Sequence, residues 1–192
     1  MLTEQKLYTA DDLWELQQQT DHRGKRLELS EGRLIEMSPT GGEHGELSAK
    51  LIVMIGAHSM QMRLGRVYSS ETGFILSEGG DGTSRTVRAP DAAFVSYQRF
   101  PADQPRVRTF VPMAPDLAVE VVSPTDGAGE VADKIHDYLR YGVHLVWIVY
   151  PSTMTIHVHG QGTLHILTEN DTLEGGDVLP GFSVPVREIF AP

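Results

Sequence analysis

The chain has 192 residues, 16 Lys+Arg against 26 Asp+Glu for a formal net charge of -10, and no cysteine. One domain with a sizeable core is the expectation at this length, disulfides and thiolate metal sites are excluded, and the composition is compatible with a reducing, cytoplasmic location. No apolar run approaches the roughly 18 residues of a membrane span, and the acid excess argues against a surface coated in positive charge for nucleic acid.

The first residues, MLTEQKLYTADDLWEL, lack a basic start followed by an apolar stretch and so do not read as a signal peptide. Thr9-Ala-Asp-Asp12 resembles a capping box that opens a first helix, with Leu13, Trp14 and Leu16 as a partial apolar stripe. Residues 26–29 and 33–37 read as a strand pair turned by Ser30-Glu31-Gly32, and Ser38-Pro-Thr-Gly-Gly42 stops the second strand. Residues 43–64 form the main predicted helix, with Leu47, Leu51, Met54, Ile55, His58 and Met62 at helical spacing and Gly65 closing it.

Short β-segments follow at 67–69, 74–77, 86–89 and 92–96. The stretch from Phe100 to Pro115 carries four prolines and reads as a long ordered loop. The window 85–108 sets Arg85, Arg88, Arg99, Arg106 and Arg108 against Asp91 and Asp103, a local net charge of +3. It is a basic face or, as composition alone favours, a solvated loop surface. Residues 117–122 make the clearest central strand, 130–141 a second helix ended by Gly142, and 144–149 another apolar strand. Two apolar strands joined by an amphipathic helix favour a parallel crossover. Residues 155–159 and 164–167 look like a hairpin across Gly160-Gln-Gly162, and the tail reads as short strand and loop with a turn at 186–190. The sum is an α/β (α+β) domain, a mixed sheet flanked by helices with extra hairpins.

Glu120 interrupts an apolar strand. Alternation puts it on one face with Ala118 and Val122, and a carboxylate there costs free energy unless a metal ion or a lysine pairs with it. Asp91 follows Pro90 at a strand entry. Lys134 lies on the next helix beside the apolar stripe Val131, Ile135 and Leu139, with Tyr138 and Tyr141 at +4 and +7, and its long stem reaches towards Glu120. Phosphodiester hydrolysis needs this set of groups. Carboxylates hold an oxygen-loving cation, the cation lowers the pKa of a water, and a lysine orients that water or offsets charge on the phosphate.

Arg88-Ala-Pro-Asp91, Pro115-Asp-Leu-Ala-Val-Glu-Val-Val-Ser-Pro124, Lys134-Ile-His-Asp-Tyr138, Gly142 and Val146-Trp-Ile-Val149 together resemble the Uma-type endonuclease family of the restriction-endonuclease-like, PD-(D/E)XK, superfamily. Leu27 to Pro39 and His44 are similar to that family's first strand pair and helix start, and the likeness extends over roughly residues 8 to 160. The resemblance implies a restriction-endonuclease-like fold and a Mg²⁺- or Mn²⁺-dependent endonuclease acting on nucleic acid, DNA by expectation. It implies a homodimer, since a duplex has two strands. It makes Asp91 and Glu120 the metal-binding acids, Lys134 the catalytic lysine, and Glu28 and His44 further members of the site. The superfamily's lysine two residues after the second acid is Val122 here, and Tyr150 stands where the family often carries an aspartate before proline.

Taken singly these residues have plainer readings: Glu120 paired with an arginine for structure, Asp91 a strand-entry residue, Lys134 a surface lysine, Glu28 an exposed edge-strand residue, and His44 a member of a helix's first turn. A non-catalytic binding or assembly module is the alternative to the enzyme. His157-Val-His159, with His165, could chelate a transition metal; an amphipathic hairpin with solvent-facing histidines fits the alternation of Thr155, His157 and His159 against Met154, Ile156 and Val158 better. Ser123-Pro-Thr-Asp126 reads as a strand exit and not a nucleophile loop, with no G-x-S-x-G elbow. Gly41-Gly42 and Gly79-Gly80 make no phosphate-binding loop.

Overall fold

Thr9 caps the first helix as its sequence predicts: the Asp12 N–H donates to its hydroxyl at 3.2 Å, and the Thr9 N–H donates to the Asp12 carboxylate at 2.8 Å. The computed structural model describes residues 6–22, 25–77 and 83–192. The pair Gly79-Gly80, and Met1 to Gln5 of the N-terminal stretch, lie outside them. In chain order the elements are α1 (Ala10–Gln18), β1 (Arg26–Ser30), β2 (Arg33–Met37), α2 (Gly42–Met62), β3 (Gly65–Ser69), β4 (Phe74–Ile75), β5 (Val87–Arg88) and β6 (Ala92–Ser96). After the proline-bearing loop come β7 (Leu117–Val121), α3 (Ala128–Arg140), β8 (Leu145–Tyr150), β9 (Thr155–Gly160), β10 (Thr163–Leu167), β11 (Thr172–Glu174), β12 (Ser183–Pro185) and α4 (Val186–Phe190).

The strands divide into a six-stranded sheet in the order β10-β9-β8-β7-β6-β3, a four-stranded sheet β2-β1-β5-β4, and the ribbon β11-β12. The expected parallel crossover is present: β7 and β8 pair in parallel through α3, and every other pairing of the large sheet is antiparallel. One face of this sheet packs Leu117, Val119, Val121, Trp147 and Val149 against Leu47, Leu51 and Ile55 of α2 and Ile189 of α4. The opposite face packs Ala118, Val146 and Ile148 against Val131, Ile135, Tyr138 and Leu139 of α3. A third cluster joins α1 to the small sheet through Leu13, Leu29, Ile75 and Val87. Among the described residues no helix is long and apolar enough to cross a membrane.

Several boundaries differ from the sequence expectation. Arg63, not Gly65, closes α2, in the left-handed conformation at φ 54°. Gly65 instead opens β3, where a Cβ would stand 2.2 Å from the Val95 carbonyl oxygen and 2.6 Å from the Phe94 ring. Gly65→Ala is therefore expected to cost about 1–3 kcal/mol, read as a lower urea midpoint at unchanged slope. The segments 74–77 and 86–89 contract to two-residue strands and leave the large sheet. The tail forms a paired ribbon and a short helix where loop and turn were expected. The arginine-rich window makes no single basic face: Arg88 is buried, and Arg99 pairs with Asp116 at 3.0 Å, while Arg85, Arg106 and Arg108 are exposed.

Candidate active site

Alternation along β7 places Glu120 on the α3 face of the sheet, as expected. On β6 the register pairs Ala92 with Val119, so Asp91, one residue earlier, enters the sheet opposite Glu120. Asp91 is 3% exposed. Its Oδ2 accepts the Val121 N–H at 2.9 Å and lies 3.0 Å from the His44 Nε2, and its Oδ1 lies 3.7 Å from the Arg26 guanidinium. His44 stands in the first turn of α2, as its plain reading has it, with its side chain almost wholly buried against Asp91. Burial opposes charge on Asp91, but the His44 contact and the Val121 amide outweigh it and lower the carboxyl pKa. The same contact raises the His44 pKa against the effect of its burial.

Lys134 reaches back from α3 as its stem predicts. Its Nζ donates to Glu120 Oε2 at 2.8 Å and lies 3.7 Å from Glu28 Oε1. The other oxygen of Glu120 accepts from the Tyr138 hydroxyl at 2.5 Å. Lys134 and Tyr138, four apart on one helical face, thus take one carboxylate oxygen each. Burial pushes the Glu120 carboxyl up to about 7; Lys134 opposes the rise, and the neighbouring Asp91 and Glu28 add to it. For Lys134 burial works the other way but is outweighed by Glu120, Glu28 and Asp91, so its pKa rises and the amine stays protonated.

Glu28 is fully buried, and β1 lies inside the small sheet between β2 and β5, so the edge-strand reading is corrected. Its Oε1 accepts the Ala89 N–H at 3.1 Å and its Oε2 accepts from Arg88 at 3.0 Å. Arg88, 2% exposed, also donates through Nε and Nη2 to Asp137 of α3 at 2.9 and 2.6 Å. Arg26 donates to the Ala89 carbonyl at 2.9 Å and so fixes the segment leading into Asp91. The structure therefore brings together all five residues singled out by sequence: Asp91, Glu120, Lys134, Glu28 and His44. Sequence reasoning missed the roles of Arg88, Asp137, Tyr138 and Arg26. A usable signal for Tyr138 was its i+4 relation to Lys134, since a buried carboxylate has two oxygens to satisfy.

Glu28, Glu120 and Lys134, but not Asp91 or His44, line a cleft of about 670 Å³ between the β1–β2 hairpin, the exit of β7 and α3. Eight acidic and three basic residues line it, among them Asp126, Glu130 and Asp133 on its α3 side. A larger groove of about 1090 Å³ runs between α2 and β3 and touches none of the five. Among the described residues the three-histidine form of the hairpin chelate does not assemble. His157 and His159 share a face with ring centroids 6.4 Å apart, whereas His165 pairs across from Val158 and faces the other side.

The family model Uma2, described as "Putative restriction endonuclease", matches residues 11–187. A solved structure, described as a "putative nuclease belonging to DUF820 from Anabaena variabilis", superposes with a TM-score of 0.79 at 17% sequence identity, covering 95% of this chain and 97% of that one. The restriction-endonuclease-like fold expected from sequence is thus the fold observed. No curated protein matches the chain significantly.

Proposed function

The chain belongs to the Uma2 family, and from that membership and the buried acid cluster we propose that it is an endonuclease hydrolysing phosphodiester bonds of nucleic acid, DNA in the first instance, with Mg²⁺ or Mn²⁺ held by Asp91 and Glu120. The observation that carries this reading is the contact of Lys134 with Glu120 at 2.8 Å, inside a cluster that also holds Asp91 and Glu28. The donor set is all oxygen, which suits a hard divalent cation. Burial is the first cause that pushes the Glu120 carboxyl up to about 7, with the neighbouring Asp91 and Glu28 adding to it. When bound, the cation lowers the pKa of a water and balances charge on the phosphate.

The chain's own groups divide the remaining work. Lys134 stays protonated, so it donates to a phosphate oxygen and offsets developing charge instead of accepting a proton. Glu120 is held in place by Lys134 and Tyr138, one on each carboxylate oxygen. His44 and the Val121 amide hold Asp91 in its ionised form. Arg88 and the Ala89 amide fix Glu28 behind the lysine. Val122 supplies no amine on the strand, and the alternative of a non-catalytic module rested on that residue and on the net charge of -10. The Lys134 amine, arriving from α3, favours the enzyme over the module.

The test is cleavage of plasmid and single-stranded DNA with Mg²⁺ or Mn²⁺, beside Mn²⁺ calorimetry. Glu120→Gln is expected to abolish cleavage, and Asp91→Asn to weaken Mn²⁺ about tenfold or more, as loss of a charged oxygen ligand should. Equal cleavage by Glu120→Gln, or unchanged Mn²⁺ affinity in Asp91→Asn, would remove the assigned roles.

A further inference from the structure

The row of the large sheet that contains Glu120 does not end under α3. In register, Glu120 pairs with Ile148, Ile148 with His157, and His157 with Ile166. The neighbouring row runs from Ala118 through Val146 and His159 to Leu164. Helix α3 covers the β7 and β8 members of these rows. Beyond β8 the same face emerges: Leu164 is 52% and Ile166 56% exposed, and His157 and His159 are half-buried. The Tyr150 ring packs on the His157 ring with centroids 4.5 Å apart at 48°. Strand spacing puts His157 roughly 10 Å from Glu120 across the sheet.

Two features of this face are unusual for a solvent-exposed hairpin. Residues 143–168 contain no Asp, Glu, Lys or Arg, in a chain that is 22% charged. The edge strand β10 therefore carries none of the lysines that commonly protect such edges. The catalytic cleft beside it is acidic, so its walls offer a sugar-phosphate backbone little attraction. A nucleic acid gains most here through its bases. Aromatic rings and apolar side chains on an open sheet face are the surface on which unpaired bases stack, whatever their sequence.

We propose that the β8–β10 face, built on Tyr150 and His157 with His159, Leu164 and Ile166 around them, is a base-stacking platform that feeds single-stranded nucleic acid to the Glu120 site. The substrate class of the proposed nuclease, on which this inference rests, is then a single strand or a locally unpaired segment. In a duplex the bases are already stacked and their faces are hidden. The expectation of a homodimer loses its reason on such a substrate, because one strand needs one site.

The experiment separates binding from cleavage. Affinity for a fluorescein-labelled single-stranded oligodeoxynucleotide and for the corresponding duplex is measured by anisotropy in EDTA, where no cleavage occurs. The wild type is expected to prefer the single strand. Tyr150→Leu and His157→Ala should each weaken single-strand binding about five- to hundredfold, the range for loss of one stacked base. Ile166→Asp, at an exposed position that the core does not need, should weaken it as well while near-UV circular dichroism stays unchanged. Binding is read in EDTA without cleavage, so a failed cleavage test and a failed platform give different results. Unaltered single-strand affinity in all three face variants would overturn the inference, as would a wild-type preference for the duplex. A wild-type dimer that Ile166→Asp dissociates in sedimentation, with single-strand binding retained, would also overturn it by giving the face to a second copy of the chain.

Discussion

Arg88→Ala is expected to destabilise the protein by about 3–5 kcal/mol, the usual consequence of stripping one partner from a buried ion pair. Arg88 is enclosed between Glu28 of β1 and Asp137 of α3, both themselves buried. Its removal leaves two carboxylates facing each other away from water, and neither has a second cation at hydrogen-bond distance: Lys134 stands 3.7 Å from Glu28, and Asp137 keeps only a 3.4 Å contact from the Ser30 hydroxyl. The guanidinium donates through three nitrogens in one plane. Arg88→Lys therefore recovers only part of the loss, since a single ammonium cannot reproduce the fork. Urea unfolding at neutral pH reads the effect directly. A change within about 0.5 kcal/mol, as for an ordinary surface site, would show that the network contributes no stability.

Lys134→Met is the second large effect, on activity as well as on folding, since it also strips the buried Glu120 of its cation. Methionine keeps the length of the stem and loses the charge. Removing one electrostatic donor from a reacting site commonly lowers kcat by about 10²–10³, and that drop is expected in the cleavage assay. The same change alters the pH dependence of stability. Burial already raises the folded-state Glu120 pKa to about 7 from its ordinary 4.5, against the pull of Lys134. The folded protein thus binds this proton before the unfolded chain does. The stability associated with it is complete below the ordinary pKa and is lost as pH rises through the folded one. Over that window the loss is at most about 3 kcal/mol. Without Lys134 the Glu120 pKa climbs further, and the decline in stability extends above neutrality. Urea midpoints followed from acid to mildly alkaline pH check this, and profiles that superimpose for wild type and Lys134→Met would refute it.

The site was legible in the sequence to an unequal degree. Glu120 announced itself because period-2 alternation sets a carboxylate among apolar neighbours, and Lys134 because a 3.6-residue stripe ran beside it. The crossover β7-α3-β8 followed from the same two periodicities. Arg88 was not legible. Whether an arginine is buried depends on partners arriving from elsewhere, and Glu28 and Asp137 lie 60 and 49 residues away along the chain. The division into two sheets was hidden for a related reason. Strands β4 and β5 have two residues each, too few for alternation to register, and β5 finds β1 across the chain through the single pair Leu29–Val87. Glu28 looked like an edge residue until β5 closed over that side. The end of α2 misled because glycine commonly closes a helix, whereas Gly65 is used for close packing under Val95.

The five site residues are strung from Glu28 on β1 to Lys134 on α3, with His44 on α2, Asp91 just before β6 and Glu120 on β7 between them. No short stretch of chain holds a working subset. During synthesis a nascent chain that has emerged as far as β7 already carries four of the five, yet lacks the amine that sits among the acids and the β8 strand that β7 pairs with. On the proposed function, a chain that ends before α3 would therefore carry acids without their amine, and it is expected to be inactive in the cleavage assay.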